Sequence, residues 1–145
     1  MRITAKADYA VRGAVELAAA GEGPVKGDAI AEAQGIPVRF LENILAELRH
    51  AGLVLSQRGA EGGYRLARPP AEISLADVIR AVEGPLASVR SEPPEELEYR
   101  GTAKPLRDVW LALRFNIRAV LEKVTLADVV SGRLPEPVAE FAREG

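Results

Sequence analysis

The chain has 145 residues, of which 48% are apolar and 28% charged, with a formal net charge of −2. That length suits one domain able to bury a real core. The sequence carries no cysteine, which excludes disulfides, thiolate metal sites, iron–sulfur ligation by thiolates and cysteine catalysis together. No apolar run reaches the roughly 18 residues that a membrane span needs, and the N-terminus lacks the apolar stretch of a signal peptide, so a cytoplasmic protein with no membrane partner is expected. The net charge argues against a uniformly basic coat, although the halves differ. Residues 1–70 hold nine Lys/Arg against eight Asp/Glu, net +1, and residues 71–145 hold ten against thirteen, net −3.

Thr4 is placed to cap a first helix in which Tyr9, Ala10, Ala14, Leu17 and Ala18 recur at helical spacing until Gly21 and Gly23. GDAIAEAQG then predicts a short second helix, with Asp28 in its first turn and Gly35 at its end. A third follows over Val38–Ala51, where Phe40, Leu41, Ile44, Leu45 and Leu48 form one apolar stripe that Gly52 ends. Two short helices joined by a turn around Gly35 and Pro37 form a helix-turn-helix pattern. LVLSQR and YRLAR, on either side of a glycine-rich stretch, predict a β-hairpin behind these helices. Three helices followed by a hairpin make a winged helix.

Pro69 and Pro70 break the chain, and Ser74 with Asp77 predicts a capping box for a fourth helix through Val82. Residues 85–104, with a Pro-Pro pair and an acidic run, read as an exposed loop. From Pro105 a long helix is expected, because Leu106, Trp110, Leu113, Ile117, Val120 and Val124 step by 4, 3, 4, 3 and 4, the seam of a coiled coil. Thr125 and Asp128 predict a second capping box and a short helix, and the tail from Pro135 is expected to be weakly ordered. The fold class is therefore mainly α with a small β-hairpin. Residues 1–84 form the winged helix-turn-helix, 85–104 the loop, and 105–145 a dimerisation helix and tail.

A three-helix unit with a wing cannot cover an apolar stripe of that length, so pairing with a second copy and a two-fold dimer are expected. Such a dimer suits a palindromic site on double-stranded DNA, with half-sites spaced by one or two helical turns of about 10 bp. The third helix would then place Pro37, Val38, Arg39, Phe40, Glu42 and Asn43 at the base edges. Arg39 offers a fork to guanine, Asn43 an amide to adenine, and Glu42 an acceptor for cytosine. Two readings stay open here: Arg39 and Glu42 also suit a surface pair, and Phe40 also suits the core. In the hairpin, Arg58 with Gly59, Gly62 and Gly63 suits insertion into a narrow, electronegative minor groove; a plain hairpin with a solvated arginine is the alternative. Arg2, Lys6 and Tyr9 near the first helix's start are candidate phosphate contacts. Trp110 reads as seam packing, with ligand stacking as its alternative.

An enzyme is not expected. There is one histidine, His50 at a helix end, and neither a G-x-x-x-x-G-K-[ST] loop nor a G-x-G-x-x-G turn follows a strand. The other competitor is a winged helix used only as a protein-interaction adaptor, which has no need of a guanidinium beside a glycine-rich wing.

MRITAKADYAVRGAVELA, AIAEAQGIPVRFLENILAELRHAGLVLSQRGAEGGYRLARP and ISLADVIRAVEG together resemble the winged helix-turn-helix regulator family that includes IscR, NsrR and CymR (Rrf-two type). The resemblance implies a homodimeric transcription regulator, usually a repressor, that exchanges long C-terminal helices, with DNA contacts at Arg39, Phe40, Glu42, Asn43 and Arg58. Many members hold an iron–sulfur cluster on three cysteines in the loop before the long helix. Here that stretch is SEPPEELEYRGTAK, and the carboxylates of Glu92, Glu95, Glu96 and Glu98 suit hard cations rather than a sulfide cluster. No cofactor and no metal site are expected, Asp8 reads as a cap or surface charge, and a small-molecule or protein effector is left open.

Overall fold

The computed structural model describes residues 2–145. Its centre is α1 (Ala5–Ala19), which touches α2 (Gly27–Gln34), α3 (Val38–His50), α4 (Leu75–Glu83) and α6 (Leu126–Ser131) as well as the second strand of the hairpin. Small side chains make this possible. Ala7, Ala10, Gly13, Ala14 and Ala18 are all buried, so neighbours approach α1 from several sides; a Cβ added at Gly13 would stand 3.3 Å from Leu41 Cδ1. The Thr4 hydroxyl caps the helix by accepting from the Ala7 amide at 3.0 Å.

The second and third helices form as their sequences require. Gly35 closes α2 in the left-handed region at φ 62°. In α3 the buried face is Leu41, Ile44, Leu45 and Leu48, and each of these side chains contributes about 1.5–3 kcal/mol by leaving water. They meet Leu17, Ile30, Val54, Ile73 and Val78 in the main core.

The hairpin pairs β1 (Val54–Gln57) with β2 (Gly63–Leu66) in antiparallel register, Val54 opposite Leu66 and Gln57 opposite Gly63. A contact that periodicity did not indicate anchors it. The Val25 amide donates to the Tyr64 carbonyl at 2.8 Å and the Tyr64 amide donates back at 2.7 Å, so the segment before α2 forms a third edge of the wing.

Both expected capping boxes are present, Ser74 with Asp77 and Thr125 with Asp128. They lie side by side as an antiparallel bridge, tied by Leu75 N–H to the Val124 carbonyl at 2.9 Å and Leu126 N–H to the Ile73 carbonyl at 3.0 Å. Leu126 is therefore 0% exposed in the main core, and the chain after the long helix returns to the N-terminal unit.

Three expectations change. The long helix α5 spans Leu106–Leu121, and Val124, placed by spacing at the end of the seam, lies beyond it and is only 3% exposed; the bridge to α4 draws it inward. The loop at 85–104 is not uniformly exposed, because a 3-10 turn at Pro94–Glu96 packs it against α5 and Pro94 and Leu97 are buried, with Leu86 in a second small core beside Ala7, Ala76 and Ile79; a further 3-10 turn follows at Gly101–Ala103. The tail forms a further helix, α7 (Val138–Glu144), with Val138 buried.

Candidate nucleic-acid interface

The outer face of α3 is built by amphipathicity. Once Leu41, Ile44, Leu45 and Leu48 are inside, the first turns must turn Val38, Arg39, Phe40, Glu42 and Asn43 outward, and all five are exposed, as is Pro37 before them. No ion pair holds Arg39 among the described residues, so the alternative pairing with Glu42 is not formed. Phe40 is 43% exposed, which rules out its core reading. Its ring stands edge-on to Tyr9, with centroids 5.5 Å apart at 84°.

Tyr9 is itself held. The Arg12 guanidinium lies over its ring, 4.9 Å from the centroid. Arg12 Nη1 donates to the carbonyl of Gln34, the last residue of α2, at 2.8 Å, and Nε lies 3.1 Å from Asp8 Oδ2. Asp8 is thus a surface charge paired within its own helix. Lys6 is half-buried and donates to Glu47 Oε1 at 2.9 Å, which spans α1 and α3. Arg2 sits elsewhere, lining a hollow with Pro85, Ser88, Trp110 and Leu113 and taking no part in the cluster around Phe40.

At the wing, Arg58 is exposed and opens the loop directly after β1. The glycines split in a way the sequence did not announce. A Cβ at Gly62 would fall 2.1 Å from the Gln57 carbonyl oxygen, and one at Gly63 would fall 2.5 Å from that of Val25. Both are glycine because the loop and the Val25 edge close on them, and Gly62 is buried. Only Gly59, at φ 101°, faces open space. Of the three glycines expected to suit the wing to groove insertion, Gly62 and Gly63 are thus accounted for by packing within the chain.

Sequence reasoning missed Arg12, Glu47 and the hydrogen bond from Arg49 Nη1 to Ser56 Oγ at 3.3 Å, which ties α3 to the wing. The i, i+3 spacing of Tyr9 and Arg12 was the one available signal for the first.

On the far side, α5 has no buried residue. Of the seam residues, Leu106 and Leu113 are exposed and Val120 is half-buried, whereas Ile117 packs on the small core of Ala7, Ala76, Ile79 and Leu86. Trp110 is half-buried and its Nε1 donates to the Tyr99 hydroxyl at 2.8 Å. Val109 and Phe115, absent from the expected seam, are 51% and 72% exposed. In the loop, Glu95 pairs with Arg114, and its backbone carbonyl accepts from Arg107 Nη2 at 3.1 Å. Hydrogen bonding to its own backbone amide and then to Arg114 holds the Glu95 carboxyl below the usual carboxylate range. No three His, Cys, Asp or Glu side chains gather as a metal site among the described residues. Without a single thiolate, these donors do not fit an iron–sulfur cluster.

No helix is long and apolar enough to cross a membrane among the described residues. Residues 3–132 match the Rrf2 family, described as "Iron-dependent Transcriptional regulator". Rv1287 of Mycobacterium tuberculosis strain H37Rv, whose name proposes an HTH-type transcriptional regulator, is 57% identical over 143 residues, which is 98% of this chain and 89% of that protein. The HTH-type transcriptional regulator CymR of Bacillus subtilis is 39% identical over 90% of this chain and 91% of its own. Among solved structures, CymR, the global cysteine regulator of B. subtilis, superposes with a TM-score of 0.76 at 36% identity over 90% of this chain and 97% of that one. IscR of T. potens gives 0.74 at 38% over 91% and 88%. With its three helices, hairpin and outward-facing α3, the chain belongs to the Rrf2 family of helix-turn-helix transcriptional regulators, which are DNA-binding proteins and not enzymes.

Proposed function

We propose that the chain is a homodimeric, sequence-specific, cytoplasmic repressor that binds a palindromic operator and works without an iron–sulfur cluster. One observation carries the reading: α3 leaves Arg39, Glu42 and Asn43 exposed with none of them spent on the fold, Arg39 and Asn43 beside Phe40 and Glu42 on the other flank of the same outward face. Those side chains supply donors and acceptors for base edges, and Arg58 on the wing supplies a cation for the neighbouring minor groove. Lys6 is a weaker candidate than sequence position implied, because Glu47 neutralises it. Pairing through α5 is supported by its apolar, uncovered side at Leu106, Val109 and Leu113. Cluster-free operation is supported by the absence of cysteine and by the Glu95–Arg114 pair that occupies the loop.

The test is selection of bound genomic fragments by the full-length protein, followed by anisotropy on the recovered site across a salt series. The expected result is a palindrome whose binding constant falls steeply with salt, by a log–log slope of roughly 0.9 per phosphate contact. A protein that recovers no common sequence, and whose binding ignores salt, is an adaptor instead.

A further inference from the structure

The geometry points to Phe40 as the reader of a thymine methyl group in each half-site, held in place for that contact by Tyr9 and Arg12; this rests on the DNA-binding reading above. Phe40 is a large apolar ring, 43% exposed, set beside Arg39 and Asn43 on the open face of α3. A ring in that position serves neither the core nor solubility. It is also held on one side. Its edge-to-face contact with Tyr9 at 5.5 Å fixes one flank, Arg12 covers Tyr9 at 4.9 Å, and the bond from Arg12 Nη1 to the Gln34 carbonyl at 2.8 Å ties the chain of side chains to the end of α2. An aromatic surface held against its own rotation before binding loses less entropy on contact.

The chemistry of the partner follows from what a major groove offers. Its base edges present nitrogen and oxygen donors and acceptors, and one apolar group, the C5 methyl of thymine. A pre-positioned phenyl on a recognition helix therefore matches thymine and none of the other bases. Beside the ring is an open hollow of about 460 Å³ lined by Lys6, Phe40, Asn43, Ile44 and Glu47. Its one cation and one anion already pair with each other at 2.9 Å. Asn43 shares the hollow with the ring, and its amide can donate to adenine N7 and accept from adenine N6. Phe40 and Asn43 thus divide the reading of A·T pairs, methyl to the ring and purine edge to the amide. Tyr9 and Arg12 are positioning residues that touch no base.

The experiment uses the full-length protein and the operator it selects. Each thymine is replaced in turn by deoxyuridine, symmetrically in both half-sites, and affinity is read by anisotropy. One position per half-site is expected to lose roughly fourfold per methyl, the worth of one buried methyl-sized group. In Phe40→Ala that position becomes indifferent to the methyl while the remaining positions behave as in the wild type. In Tyr9→Ala the discrimination shrinks although the phenyl remains, and thermal melting checks that both variants are folded. Equal binding to thymine and uracil at every position of the wild type overturns the inference, and so does discrimination that survives in Phe40→Ala. Neither result disturbs the DNA-binding reading, which fails separately if the wild type binds no duplex at all.

Discussion

Helices α3 and α5 both leave a face uncovered, and the difference between those faces teaches what each awaits. In α3 the apolar side is consumed by its own chain and the open side carries charge, amide and one held ring. In α5 no residue is buried, and the open side is Leu106, Val109 and Leu113. A polar face with its hydrogen-bonding capacity unspent fits a polar partner, while an apolar face left partly uncovered fits a surface of its own kind. The two helices are joined through α1, which packs on α3, and α4, whose Arg80 Nη1 donates to Glu122 at the end of α5 at 2.8 Å. The position of α3 relative to α5 is therefore set by packed neighbours rather than by a linker, and in the proposed dimer that packing would fix the spacing of the two α3 helices.

The sharpest way to break this contrast is a charge on the α5 face. Leu113→Glu is expected to give monomers by light scattering, and operator affinity to fall by about 10²-fold or more, because the second half-site contact is no longer intramolecular. A dimer that survives would mean that another surface pairs the chains. On the other face, Arg58→Ala is expected to weaken operator binding by about 1.5–3 kcal/mol, as for other hydrogen bonds to charged groups, with the salt slope reduced by about 1 and the melting temperature unchanged. Unchanged anisotropy would remove the wing from the interface.

Most of the fold was legible because it is written in local chemistry. Thr4, Gly35, Ser74–Asp77 and Thr125–Asp128 mark helix ends by hydroxyls, carboxylates and a glycine that act within four residues, and each acts as its position requires. What was lost is tertiary. The expected seam took Trp110 and Ile117, yet a 4-3 and a 3-4 stepping from Leu106 share Leu113 and Val120. Which register stays open is decided by Tyr99 drawing Trp110 aside and by Ala7, Ala76, Ile79 and Leu86 taking Ile117. Val109 then replaces Trp110 on the open face. The same holds at the site: the identity of the exposed row on α3 followed from helical periodicity, whereas the Arg12–Gln34 bond and the Val25 edge behind Gly63 join residues that no local pattern connects.

That last contact separates packing glycines from interface glycines. Gly63→Ala is expected to cost about 1–3 kcal/mol more than Gly59→Ala in chemical denaturation, since a Cβ there meets the Val25 carbonyl oxygen at 2.5 Å, a clash added to the strain of a positive φ. Gly59→Ala, with only its positive φ to strain it, is expected to cost about 1–2 kcal/mol. If the two cost the same, the Val25 edge does not constrain the wing.

The smallest expected effect concerns Asp77, which belongs to neither face but fixes α4 between them. Burial pushes its carboxyl up, but hydrogen bonds from the Ser74 amide and hydroxyl and from Arg80, with the charge of Arg68, outweigh burial and hold it below its usual 3.8. Above that value folded and unfolded chains are both ionised, and the capping box contributes fully. As pH falls through 3.8, the unfolded chain takes up the proton first, so this contribution is lost progressively until the folded carboxyl also protonates. With the side chain one-third exposed, solvent screens the effect, and its upper bound is about 1 kcal/mol, the usual worth of an N-cap. Asp77→Asn should lower the melting temperature at neutral pH and flatten its decline in acid. An equally steep acid decline in that variant would assign the titration to other carboxylates.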